Sequence, residues 1–449
     1  MNKSLTEGKT LRVLLFFALP YLLSSFLQTF YGMADLYIAG QFNGASTLSA
    51  VSIGSQFMHM LTVIIIGLAM GTTVCIGHAV GAKHHQKVAQ IIGNTFIIFI
   101  IFAIILTLFL CFHTSLIIDI MSTPKEAIIE TYDYLFICFI GIPFIISYNI
   151  MSSIFRGMGD SKSPMIFIMI ACFFNVVLDY YFIGTLSLGA SGAAYATIIA
   201  QAISSLIAII CLLKRKFNFT FHFSDLQLNI PIIQNILSSG LPIALQDGFI
   251  QVSFLIITVI ANSRGLMMAT SVGIVEKMIS FFFLVPSAFL SALSALVAQN
   301  IGANKLQRVK EMLRYSLLIT VSFGILCFIL CQIIPYQLMS LFTHEEAVII
   351  YGSEYLRAYA LDCIFAAIHF CFSGYFCGSG HSIISFIHNT ISVVIIRIPG
   401  AYLATLMFAE TLSPMGLAAP LGSLLSAFIC IYFYKHLQTK EIQKALKTS

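Results

Sequence analysis

Residues 16–38 read FFALPYLLSSFLQTFYGMADLYI. The stretch is almost wholly apolar and long enough to cross a bilayer as a helix. Two residues set it apart from a plain anchor. Pro20 removes a backbone donor and permits a bend. Asp35 puts a carboxylate where charge costs several kcal/mol unless it is hydrated or partnered. The interval from Pro20 to Asp35 rises about 22 Å on a helix, so the two residues sit toward opposite leaflets. A tolerated kink at Pro20, or an Asp35 at the water interface, remains an open reading of each residue.

The rest of the chain is built in the same way. It has 449 residues, 59% hydrophobic and only 9% charged, a balance that excludes a soluble globular domain of this length. Apolar runs fall at roughly 12–38, 46–72, 90–112, 130–151, 164–185, 190–213, 232–262, 266–293, 313–335, 348–374, 382–408 and 414–434. They predict an all-α membrane protein of twelve spans. No cleavable signal peptide is expected, because the first run is too long and leads directly into further spans. The 11 Cys are scattered through apolar runs without a CxxC, and the His residues show no zinc spacing, so no metal site is expected. His59, His369 and His388 are read as histidines satisfied within the bundle. No GxxxxGK[ST] phosphate loop is present, which argues against ATP as the energy source, and the basic residues fall in short loops, which argues against nucleic acid. A membrane enzyme would need a nucleophile and base or a metal set, and none is evident.

Lys and Arg orient the spans. Lys3, Lys9, Arg12, Lys83, Lys87, Arg156, Lys162, Lys214, Arg215, Lys216, Lys305, Arg308, Lys310, Arg314 and four C-terminal lysines all belong to one side. The opposite loops hold only Lys125 and Arg264. Both termini are therefore expected in the cytoplasm.

Short strings recur at one offset. Gly81-Ala82-Lys83 matches Gly302-Ala303-Asn304, Tyr134-Leu135 matches Tyr355-Leu356, and FRGMG from Phe155 matches FCGSG from Phe376, each 221 residues on. Leu19-Pro20 matches Leu241-Pro242 at 222. An even number of spans per repeat means that both halves enter from the same side. The expectation is two six-span lobes, residues 1–213 and 232–449, joined by a cytoplasmic linker at 214–231 and related by a parallel pseudo-two-fold along the membrane normal.

Span 5 contains Asn175 and Asp179, four apart and so on one helical face. Pro164 precedes Asp179 by the same interval as Pro20 precedes Asp35, which brings the two carboxylates to similar depth. Thr197 enters span 6 from the opposite end, about 10 Å in, among the small residues Gly192, Ala193, Ala194 and Ala196. Two ionised carboxylates cannot share a dry site cheaply, and binding H⁺ or Na⁺ relieves their repulsion. Asn175 and Thr197 add neutral oxygens of the kind hard cations take. At the second-half counterparts stand Ile257, Ile396 and Gly400, so the repeated fold does not itself require the cluster. Separate, water-facing polar residues are the competing reading.

With LP early in spans 1 and 7, GHAVGAK and AQNIGAN after spans 2 and 8, and FRGMGDSKSP after span 4, the chain resembles the multidrug and toxic compound extrusion (MATE) family of bacterial type over nearly its whole length. The resemblance implies a secondary carrier in the cell (inner) membrane. It would export mostly cationic organic molecules by antiport with H⁺ or Na⁺, with no cofactor and one chain as the working unit. It points to the same Asp35, Asn175, Asp179 and Thr197 as the cation site. Gln28 and Asn149 fall near the pocket of the family, with core hydrogen bonding as the other reading, and Pro20 is the candidate hinge. Because relatives in the same superfamily flip lipid-linked sugars, a flippase for such a precursor is the alternative. Sodium-coupled members use second-half carboxylates, and the roles of Asp247, Glu276, Lys277, Asp362 and Arg397 stay open; ion pairs between helices are one reading of Glu276, Lys277 and Arg397. Glu354 and Arg357, three apart, are read as a helix-end pair.

The charge pattern has a direct test. A membrane-impermeant thiol reagent added outside intact cells should label cysteines introduced at Asn43, Thr185 and Arg264 but not at Lys83, Arg215 or Lys305. Labelling of the last three would reverse the orientation.

Overall fold

Within hydrocarbon a backbone amide finds no water, so a chain this apolar has to satisfy its amides along helices. The computed structural model describes residues 5–215 and 225–448 and has no strand among them. Lys3, Lys216 and half of the linker at 214–231 lie outside the described residues, as do the side chains from Lys440 onward. Ten helices are long and apolar enough to cross a membrane singly, and twelve when each of two bent pairs counts as one span.

Spans 1 to 3 are Thr10–Phe42, Ala45–Gly81 and His85–Phe112. Span 4 is Lys125–Ile140 with Ile142–Gly157, bent by 48°. Spans 5 to 7 are Lys162–Thr185, Gly189–Lys214 and Ile230–Asn262. Span 8 is Leu266–Phe282 continued by Leu284–Gly302, and span 9 is Leu306–Ile333. Span 10 is Glu346–Tyr359 with Asp362–Gly378, bent by 43°, followed by span 11, Ser382–Met407, and span 12, Ser413–Thr439. Several helices outrun their apolar runs. Span 2 continues to Gly81 because Gly71, Thr72 and Thr73 are buried against neighbouring helices, so the helix does not end where its lipid-facing surface does. The breaks have local causes. Pro143 cannot donate to Phe139, and Gly141 beside it presses against the Ile198 side chain, so span 4 turns there. Pro286 likewise follows the break at Phe283 in span 8.

Elements repeat as the strings do. Ala45–Gly81 recurs as the stretch from Leu266 to Gly302, and His85–Phe112 recurs as Leu306–Ile333. Two of the repeated strings are helix ends. At Gly159 and Gly380 the chain takes φ +90° and +79°, a conformation open to residues without a Cβ. The next amide then reaches back in the same bond twice: Asp160 N–H donates to the Phe155 carbonyl and His381 N–H to the Phe376 carbonyl, both at 2.8 Å. Lys83 and Asn304 end spans 2 and 8 in left-handed conformations of nearly equal φ, 57° and 56°.

By packing, the chain forms two units. The first is chiefly Leu15–Ala244, with the end of span 8, Ala298–Asn304. Its core includes Phe99, Leu135, Phe139, Ile154 and Phe155, all fully buried. Span 6 is tied to span 5 by the Ser204 hydroxyl, which donates to the Phe167 carbonyl at 2.8 Å. The second unit is chiefly Leu245–Val297 and Lys305–Ser449, with Gly8–Leu14. Its core includes Val275, Ile279, Leu356 and Ala360. Thr10 is held there by donating to the Glu311 carboxylate at 2.6 Å.

The loop between spans 4 and 5 carries an ion pair. Arg215 Nη1 meets Asp160 Oδ2 at 2.6 Å, and the same carboxylate accepts from the Ser163 hydroxyl at 2.7 Å and from the Lys162 and Ser163 amides at 3.1 Å. Burial alone would push the Asp160 carboxyl up; these hydrogen bonds and the Arg215 charge outweigh it and hold it below the usual carboxylate range. A carboxyl depressed on folding contributes stability above its unfolded pKa, and the contribution is lost as pH falls through the folded value. Asp160→Asn should therefore lower stability by roughly 1 kcal/mol at neutral pH. In a thiol-reactive dye melt, the gap from wild type should narrow as pH drops below about 4. A gap that does not change with pH would remove the charge from this account.

Candidate cation site

Span 1 runs unbroken through Pro20, whose carbonyl accepts the Ser24 hydroxyl at 2.7 Å. About four turns beyond Pro20, span 1 directs Asp35 into the first unit, where it is 3% exposed. Asp179 closes the α-helical part of span 5 and is fully buried, and Asn175 is buried one turn before it. Directly after Asp179 the helix widens to a π turn, Tyr180–Thr185. Such turns recur at functional sites because they re-aim side chains without ending the helix. Thr197 comes from span 6, as read from the sequence, and is half-buried.

These four side chains meet. Asp179, Asn175 and Thr197 all lie within interaction distance of the Asp35 carboxylate. The Asn175 amide donates to the Thr197 hydroxyl at 3.4 Å, a long bond. Asp35 Oδ1, both carboxylate oxygens of Asp179 and the Asn175 Oδ1 are buried and accept no hydrogen bond. Facing carboxylates are both acceptors, so what the pair lacks is a proton or a positive charge between them. Neither Asp forms an ion pair, and no Lys or Arg among the described residues acts on either.

Two further residues join the site. Tyr31, one turn before Asp35, and Gln201, one turn after Thr197, interact with each other. They line a narrow crevice with Ala171, Asn175, Thr197 and Ala200. The signal was available in the i±4 spacing from Asp35 and Thr197. Beside the carboxylates sits the Tyr134 ring, packed on Gly54 of span 2, where any side chain would collide with it. The structure does not bring the cavity candidates to this cluster. Asn149 is buried with its amide donating to the Ile145 carbonyl one turn back at 2.8 Å, and Gln28 is half-buried on span 1.

Three sequence expectations need correction. Glu354 does not pair with Arg357 but accepts the Thr411 hydroxyl at 2.9 Å. Glu276 and Lys277 point apart, Lys277 being exposed, and neither they nor Arg397 form a close ion pair. His388 is satisfied by Ser373 and Ser426, whereas His59 is exposed and His369 Nδ1 is buried without a partner.

The family model MatE matches this chain twice, over residues 20–181 and 242–403. The chain belongs to the MatE family. It is a multi-pass membrane transporter and not an enzyme. Among similar curated proteins, a probable multidrug resistance protein, YpnP of Bacillus subtilis, is 27% identical over 439 residues, 96% of each chain. The multidrug export protein MepA of Staphylococcus aureus is 23% identical over 420 residues, 90% of this chain and 92% of its own. A crystal structure of MATE in the straight conformation has the same fold, with TM-score 0.91 at 20% identity over 98% of both chains. The bounds of the two MatE matches stand 222 apart, one more than the offset of the helix-end strings.

Proposed function

We propose that this transporter exports organic, mostly cationic compounds by antiport with H⁺ or Na⁺. The first unit binds the coupling ion through Asp35, Asn175, Asp179 and Thr197. One observation carries the reading: carboxylate and amide oxygens from spans 1 and 5 are buried together without a hydrogen-bond partner or a counter-charge. Burial of that kind costs several kcal/mol unless a cation or proton compensates it. At the second-half counterparts stand Ile257, Ile396 and Gly400, so fold maintenance does not explain the cluster. The relatives named as multidrug proteins support the substrate class. The charge pattern of the loops supports a cell (inner) membrane location with cytoplasmic termini. One chain, with lobes at 1–213 and 232–449 around the 214–231 linker, is the working unit, without ATP or cofactor.

An ion can drive transport only by binding one conformation better than the other. Here the ion relieves repulsion between two carboxylates, and the bend that Pro20 permits in span 1 is the element it biases. Gln28 and Asn149 are assigned to the substrate path.

In proteoliposomes with pH and sodium gradients imposed separately, Asp35→Asn and Asp179→Asn should each lower gradient-driven export of a cationic dye at least about tenfold, with insertion intact. The double variant should be little worse than either single, because the two act as one unit. Pro20→Ala should slow turnover while leaving ion affinity within about twofold. Full export by both Asp variants at normal expression would refute the site.

A further inference from the structure

The first unit holds a second buried polar group, opposite in kind to its acids. Tyr148, Ser152 and Arg156 stand four residues apart on the second segment of span 4, Ile142–Gly157, and so share one helical face. A helical side chain leans back over the preceding turn, so the long Arg156 side chain runs toward Ser152 and Tyr148. Tyr21 meets the same guanidinium from span 1, its ring centroid 4.1 Å from Arg156 Cζ. Tyr21, Tyr148 and Ser152 are 3%, 2% and 2% exposed, and Arg156 is half-buried. The three hydroxyls and Arg156 Nε are all buried without a hydrogen-bond partner.

No carboxylate answers this charge. Asp160, four residues on, is taken by Arg215, and Arg156 forms no ion pair among the described residues. The Tyr21 ring covers the face of the guanidinium, which leaves the N–H groups at its edge to be satisfied. A hydroxyl accepts as well as donates, but a guanidinium only donates, so the group is short of an acceptor and carries one full positive charge. The repeated scaffold does not itself require this set. In the match of FRGMG to FCGSG, Cys377 stands at the place of Arg156, and in the match of Leu19-Pro20 to Leu241-Pro242 the next residue, Ile243, stands at the place of Tyr21.

We infer that Tyr21, Tyr148, Ser152 and Arg156 form a binding site for a small monovalent anion, with chloride the abundant ion of that kind. One buried cation balances one negative charge, whereas a dianion would bring an uncompensated charge with it. A water molecule would accept from one donor but leave the charge of Arg156 unanswered. On the orientation that the loop charges give, this end of span 4 faces the cytoplasm, and the anion enters from there. Because Tyr21 directly follows Pro20, occupancy ties the start of span 1 to span 4. The site requires nothing of the Asp35–Asp179 pair, which is selective for the opposite charge.

The test reads the melting temperature of the purified full chain with a thiol-reactive dye, as choline gluconate is exchanged for choline chloride at constant ionic strength. With the cation unchanged, the acids of the first unit see no difference. Chloride should raise the melting temperature saturably, by about 2 °C or more at about 100 mM, and bromide should do the same. The rise should vanish in Arg156→Gln, and Tyr148→Phe should weaken the apparent chloride affinity about fivefold or more. If Arg156 served packing alone, Arg156→Gln would lower the melt equally in both salts, and wild type would melt alike in both. Either of those results, or a chloride rise that survives Arg156→Gln, would overturn the proposal. If Arg156→Gln does not fold, equilibrium binding of radioactive chloride decides. About one ion per wild-type chain, held more weakly by Tyr148→Phe, supports the site; no bound chloride, or equal affinity in the two, overturns it.

Discussion

Charge taken out of water has to be compensated nearby, and in a chain with so few charged residues each buried one shapes its surroundings. Asp35 and Asp179 meet at a point supplied from spans 1, 5 and 6. The packing around them serves that meeting. Gly54 makes room for Tyr134, Ser204 ties span 6 to span 5, and the helix behind Asp179 widens so that the next residues leave the site. Away from the spans, compensation is local and complete: Asp160 collects two amides, a hydroxyl and a guanidinium, and it fixes where span 5 starts.

The two units bury their charges differently. In the first, acids face each other with only neutral groups around them, an arrangement that gains stability when a cation or proton arrives. In the second, a buried arginine donates to the Tyr359 hydroxyl and lies over the Phe254 ring. Because the halves share their helix ends and broken fourth spans, the difference lies in a few side chains on a common scaffold.

The twelve spans, the duplication and the Asp35–Asn175–Asp179–Thr197 grouping were legible because each leaves a periodic or repeated trace. The bends in spans 4 and 10 were hidden because the apolar run continues across Gly141 and across Ala360, and hydropathy does not register direction. Tyr31 and Gln201 were passed over although each is one turn from a named site residue, since an aromatic or amide in an apolar helix gives no charge signal. Glu276 and Lys277 misled by adjacency. Neighbours in sequence point about 100° apart on a helix, so Glu276 is half-buried while Lys277 is exposed.

The π turns at Tyr180–Thr185 and Ser392–Arg397 bear on which side chains each half turns inward. A π turn holds one residue more than the α-helical turn it replaces. In a loop such an insertion would be absorbed. Inside a helix it rotates everything beyond it by about 100° and presents a different face. The turns lie in corresponding spans at different heights, at the end of span 5 and midway along span 11. Asp179 directly precedes the first, and Arg397 closes the second. A helix widened by one residue thus turns a new face inward beyond that point without ending, and each half does so at its own level in the bilayer.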